Sequence, residues 1–199
     1  MKQVLIETNI FKPIVSINEG KTSPSGNLIV QGILSTAEKQ NGNGRYYPIE
    51  ILEREINKYM DIVKENRALG ELDHPDSQVI NLKNVSHKIN NMNWDGQKVI
   101  GTIEILPTPS GNILKALFTN NVPVGISSRG MGSLKQMGEV AEVQDDFELL
   151  CYDFVSTPSN PGSYMSPLNE SLTKFNEIYS KTNSIITDIL CSNNRCPIY

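Results

Sequence analysis

Histidine is nearly missing from this sequence: 199 residues hold only His74 and His87. Any chemistry that needs an imidazole must use one of the two. Cysteine is scarce as well, at Cys151, Cys191 and Cys196. Three thiols cannot all pair, and Cys151 lies in the apolar run FELLCYDFVS. The CSNNRC pair has no histidine nearby, which makes it a weak zinc site and leaves no metal site to name. Positive charge is also short. The net charge of −4 excludes sequence-independent DNA or RNA binding, which needs clustered cations. No apolar run approaches the roughly 20 residues of a membrane span. The N-terminus MKQVLIETNIF lacks the apolar core of a signal peptide, so the chain is expected to stay in the compartment where it is made. Repeats and low-complexity tracts are absent.

What is present suits one domain with a tail. Residues 2–7 and 27–35 read as strands. Leu52, Ile56, Tyr59, Met60 and Val63 recur at helical spacing, so an amphipathic helix is expected over 49–66, entered at Pro48. KINNMNW and QKVIGTIEIL flank Asp95-Gly96, a residue pair favoured in tight hairpin turns. A short helix follows, with Ser110 as its expected N-cap and Ile113, Leu114, Leu117 and Phe118 along one face. VPVGISS is a strand, and 134–156 reads as two more strands around an acidic turn at Asp145-Asp146. Leu172, Phe175, Ile178, Tyr179, Ile185, Ile186 and Ile189 stripe an expected final helix. Many strands with two or three helices imply an α+β fold, a barrel or strongly curved sheet with helices outside it.

The chemistry centres on two stretches. VPVGISSRGMGSL places Ser127 and Ser128 between a β-branched run and a glycine-rich segment with one arginine. A serine nucleophile needs a neighbouring base, and a third group to fix the base's tautomer. His74, in the polar turn GELDHPDS, can be presented at a cleft, or can be a solvated turn residue. His87 stands just before a hairpin strand and is expected on its surface. In FELLCYDFVS, alternation puts Leu149, Cys151, Asp153 and Val155 on one face. Asp153 is then either on an exposed face, bonded to nearby backbone, or the third group, since a carboxylate among apolar neighbours is costly unless partnered. Strand alternation lets only one of the two serines meet His74. SSRGMGS, read as a turn, offers amides at Arg129, Gly130 and Gly132 to an oxyanion, with the Arg129 charge beside them. The glycines serve turn geometry equally well, and Arg129 serves equally as a surface partner of the acidic turn.

GELDHP, followed after the hairpin by VGISSRGMGSL, resembles the prohead proteases of tailed phages, particularly the T-even type. The likeness runs from LIET through GNGRYYPIEILE to DFVSTPSNP, roughly residues 3–165, with the tail unmatched. It implies a fold similar to the herpesvirus assembly protease, with a β-barrel or strongly curved sheet surrounded by a few helices. It also implies His74 as base and Ser127, the first serine of SSRG, as nucleophile. The herpesvirus relatives use a second histidine as third member. Here Asp153 stands at a comparable distance beyond the serine and takes that role, while His87 precedes the serine and does not fit the slot. Arg129 and Gly130 are assigned to the oxyanion or to substrate binding.

The resemblance implies a serine endopeptidase without a cofactor, acting in the host cytoplasm inside the assembling prohead. Its expected substrates are scaffold or core proteins and the major capsid protein, cut after glutamate in Leu/Ile-x-Glu sites. Self-association is compatible with this, and neither nucleic acid nor membrane is expected as a partner. Residues 1–165 form the expected protease domain and 166–199 the tail. Leu168-Asn169-Glu170 matches the cleavage pattern directly after the loop STPSNPGSYMSP, so self-cleavage is expected between Glu170 and Ser171. The competing reading is a catalytically inactive capsid-assembly or scaffold protein of the same fold. An α/β-hydrolase esterase is disfavoured, because GISSRG is not the G-x-S-x-G elbow.

Overall fold

The computed structural model describes residues 3–6, 23–75, 77–156, 163 and 165–167. The chain divides into two units, Met1–Leu168 and Asn169–Tyr199, and every described residue falls in the first. The expected final helix, Cys191, Cys196, Glu170 and Ser171 lie outside the described residues.

The longest hairpin is made by strands β5 (Val85–Asp95) and β6 (Lys98–Ile105), paired antiparallel with Asp95 opposite Lys98. Its turn is therefore Gly96-Gln97 rather than Asp95-Gly96. Gly96 takes φ +57°, which a residue without a Cβ adopts readily. Strand β2 (Ile29–Thr36) adds to β6, β4 (Leu69–Glu71) to β5, and β11 (Ser166–Pro167) to β2. The resulting order is β11-β2-β6-β5-β4. Pairing thus reaches Pro167, past the expected domain boundary at residue 165.

A second sheet has β7 (Gly125–Gly132) at its centre, between β1 (Gln3–Ile6) and β10 (Glu148–Val155). A third joins β3 (Arg45–Tyr46), β9 (Val140–Val143) and β8 (Leu134–Met137). The 134–156 region accordingly holds three strands, not two. The missed break is Gly138, whose φ of +67° turns β8 back onto β9.

Helix α1 (Ile49–Lys64) begins after Pro48, as its spacing predicts. It buries Leu52, Ile56, Tyr59 and Val63, each contributing about 1.5–3 kcal/mol if fully withdrawn from water. Helix α2 (Pro109–Thr119) differs from expectation at its start. Its N-cap is Thr108, whose hydroxyl accepts the Gly111 amide at 3.0 Å, and Ser110 lies inside the first turn. Leu114 and Phe118 form its buried stripe, while Ile113 points to solvent.

The α+β expectation holds, with strands predominating and two helices among the described residues. The described sheets stay open instead of closing into one ring, and side chains from all three join one apolar core.

Candidate active site

Register on the central sheet decides which side chains can meet. Ser127 on β7 stands directly opposite Asp153 on β10, and Arg129 stands opposite Cys151. Cross-strand partners share a face, so these four side chains project to the same side. Ser128 pairs with Tyr152 and projects to the other. The register shifts between Leu149 and Cys151, which places Leu149 opposite Gly130 and removes it from the face it was expected to share with Asp153. Asp153 is fully buried, so an exposed face is excluded for it.

The GELDHP segment brings the histidine to this face. Gly70 lets β4 approach closely, since a Cβ there would collide with the Tyr152 carbonyl and the His87 ring. Next, the Glu71 amide donates to Asp153 Oδ1 at 2.9 Å. Leu72 bridges to Phe154, and the Asp73 amide donates to the Phe154 carbonyl at 2.8 Å. Asp73 turns the chain at φ +63°, a region that aspartate tolerates better than most residues. His74 then lands with Nδ1 2.8 Å from Asp153 Oδ2. A carboxylate only accepts, so Nδ1 carries the proton. In the neutral ring Nε2 is thus the lone-pair nitrogen. It is buried and has no hydrogen-bond partner among the described residues.

Arg129 is 1% exposed and faces inward. Its Nε lies 3.0 Å from Asp153 Oδ2 and 3.2 Å from the Cys151 sulfur. Nη1 donates to the Ser77 carbonyl at 2.7 Å, and Nη2 donates to Glu71 Oε1 at 3.0 Å and Asp153 Oδ1 at 3.3 Å. This corrects the reading of the SSRG segment as a turn with a donor-rich rim. The segment is the interior of a central strand, and the guanidinium is engaged by internal acceptors. Its partners are these and not the acidic turn, where Asp145 is instead held by Arg54. Gly130 serves packing, because a Cβ there would come within 2.8 Å of the Glu148 carbonyl and closer still to the Phe147 ring.

Burial pushes the Asp153 carboxyl up, but the His74 hydrogen bond, the Glu71 amide and the Arg129 charge outweigh it, leaving the pKa below the usual range. Asp153 is therefore an anion at neutral pH. Burial pushes the Cys151 thiol well above its ordinary value, which makes it a poor nucleophile. His87, expected on the surface, is instead fully buried. Its Nε2 donates to the Tyr152 carbonyl at 3.0 Å, and its Nδ1 accepts from the Ser86 hydroxyl at 2.9 Å. Burial lowers its pKa to about 4.

Residues 5–174 match the family described as prohead core protein serine protease. The chain belongs to that family. It is 32% identical over 170 residues to the prohead core protein protease of Enterobacteria phage T4, a match spanning 81% of this chain and 80% of the relative. Its fold is similar to that of the bacteriophage T4 capsid assembly protease, with a TM-score of 0.69 at 30% identity. That likeness covers 79% of this chain and 99% of the other.

In this prohead core protease family member, sequence reasoning passed over Glu71. The residue stands in the same GELDHP motif as the histidine, and its carboxylate is fully buried. An acidic residue inside an otherwise apolar β4 was the available signal. Among the described residues, no His, Cys, Asp or Glu cluster could hold a metal ion, and no helix is long and apolar enough to cross a membrane.

Proposed function

We propose that the chain is a serine endopeptidase in which His74, Ser127 and Asp153 act as a triad. The observation that carries this is the His74–Asp153 bond at 2.8 Å, with the remaining ring nitrogen buried and without a partner among the described residues, and with Ser127 opposite the same Asp153. Asp153 fixes the tautomer and supports the imidazolium. Nε2 takes the Ser127 proton as the hydroxyl attacks the scissile carbonyl, then returns it to the leaving amine. Water releases the acyl-enzyme by the reverse sequence. Because the Arg129 guanidinium is engaged internally, this reading does not use it as the oxyanion donor.

The reading extends to substrate by analogy with the family. The chain would cut scaffold or core proteins and the major capsid protein after glutamate in Leu/Ile-x-Glu sites, inside the prohead in the host cytoplasm. It would also cut itself between Glu170 and Ser171. That bond lies beyond β11, so cutting it leaves the described pairing of Ser166 and Pro167 with β2 intact.

Intact-mass spectrometry beside labelling by a serine-reactive phosphonate tests both parts. Wild type should take up one label and lose the segment after Glu170, whereas Ser127→Ala should do neither. A folded wild type that takes up no phosphonate would favour an inactive assembly protein. A labelled wild type that keeps its C-terminus would remove self-cleavage alone.

A further inference from the structure

Acyl transfer as derived above gives the buried cation no step. Arg129 lies between two carboxylates, Glu71 and Asp153, and all three side chains are withdrawn from water. With the guanidinium absent, two negative charges would stand behind His74. Their combined field would favour the imidazolium over the neutral ring that accepts from serine. With Glu71 absent, the cation would oppose the imidazolium that Asp153 must support. Together the three leave a net charge of −1 behind the ring.

The same contacts tie two segments that sequence keeps apart. Arg129 is on the strand that carries Ser127, and its Nη1 holds the Ser77 carbonyl in the loop beyond His74. Glu71 Oε1 accepts the Asn81 amide at 3.0 Å farther along that loop. Among the described residues, Cys151, Tyr59 and His87 also interact electrostatically with Asp153. Burial keeps each of them neutral at neutral pH, so none substitutes for the cation.

We infer that Glu71 and Arg129 are positioning residues that set the charge balance behind His74 and clasp the histidine loop to the serine strand. The inference rests on the triad reading of His74, Ser127 and Asp153. It assigns the pair no contact with substrate.

The test is the pH dependence of phosphonate labelling by the full-length chain, with Ser127→Ala as the control that labelling reports Ser127. Glu71→Gln removes a negative charge and should move the acidic limb of the rate profile to lower pH by about one unit. Arg129→Met should move it to higher pH by a similar amount. The double variant restores a net −1, so its limb should return near the wild-type position. Arg129→Lys keeps the charge but loses the planar fork, and should keep the wild-type limb at a lower plateau rate. Should Arg129→Met fail to fold, Glu71→Gln and Arg129→Lys decide the matter. Limbs that stay fixed in Glu71→Gln, or that move the same way in both charge-removing variants, overturn the inference and leave a plain structural ion pair. Labelling that survives Ser127→Ala overturns the triad reading, and the inference falls with it.

Discussion

The two histidines, one on β5 and one in the loop after β4, contact neighbouring residues of β10 and have opposite hydrogen-bond states. His87 meets β10 at the Tyr152 carbonyl, and His74 meets it at the adjacent Asp153 carboxylate. Both rings are withdrawn from water. At His87 both nitrogens are bonded, the ring packs edge-on against Phe154 at 4.6 Å, and burial favours the neutral form. At His74 one nitrogen is fixed by a charged partner and the other has none among the described residues. A fully bonded buried ring contributes stability. A ring with one nitrogen left over is what proton transfer needs. Burial alone therefore does not separate structure from chemistry, whereas the account of each ring's two nitrogens does.

The comparison is broken most directly by exchanging the expected losses. Under the proposed triad, whose members would act as a unit, His74→Ala should cost on the order of 10⁶ in kcat, close to the Ser127→Ala loss. Its melting temperature should fall only modestly, through loss of the hydrogen bond to the buried Asp153 carboxylate. His87→Gln should show the reverse, keeping most of its kcat while losing stability. Steady-state assays paired with thermal melts check both arms. A His74→Ala protein with near-normal turnover would end the distinction.

Asp153→Asn should have the next largest effect, about 10⁴ in kcat, since an amide can hold the ring in the tautomer with the proton on the wrong nitrogen. The buried Arg129 and Glu71 would also lose a charged neighbour, so a stability loss should accompany it. His87 offers no such dependence on a carboxylate. A normal rate in Asp153→Asn would reduce the triad to a dyad.

The pH dependence of stability sharpens the contrast from the other side. Above pH 6.5 His87 is neutral in both folded and unfolded chains. Between about 6.5 and about 4 the unfolded chain binds a proton that the folded site refuses, so stability falls as pH drops through that window. The full loss is on the order of 3 kcal/mol. Asp153 acts lower on the scale. Its depressed carboxyl contributes stability above its ordinary value of 3.8, and that contribution is lost as pH falls below it. Urea midpoints measured from pH 7.5 to 4.5 should therefore decline in wild type and run flatter in His87→Gln. Parallel curves would show that His87 does not carry the slope.

Much of this arrangement was legible in the sequence where local rules govern. The apolar spacing of α1 and the period-2 alternation that separates Ser127 from Ser128 are local. The network behind His74 is not. Glu71 and Arg129 are 58 positions apart, and no periodicity announces that a strand acid and a strand arginine will meet. His87 was misplaced for a related reason. β5 is buried on both faces at its start, Val85, Ser86 and His87 alike, so the alternation that marks a surface position is missing there. The SSRG segment misled because its glycines look like turn residues, while Gly130 in fact makes room for Phe147.

The smallest expected effect is at Ser128, where the same account is applied to the two hydroxyls of the serine pair. Ser127 is 1% exposed and faces Asp153, whereas Ser128 is half-buried and lies across the strand from Tyr152. Removing the Ser128 hydroxyl takes nothing from the His74 face and opens only a methyl-sized change in a partly wetted position. Substitutions of this kind change stability by about 0.5 kcal/mol or less, and with the His74 face untouched Ser128→Ala should keep kcat/KM near that of wild type. Phosphonate labelling followed by peptide mapping should place the label on Ser127 in both wild type and Ser128→Ala. A label on Ser128, or activity lost in Ser128→Ala and kept in Ser127→Ala, would mean that the functional face of β7 is the one toward Tyr152. The pairing of Ser127 with Asp153 would then be a structural contact, and His74 would need a different nucleophile.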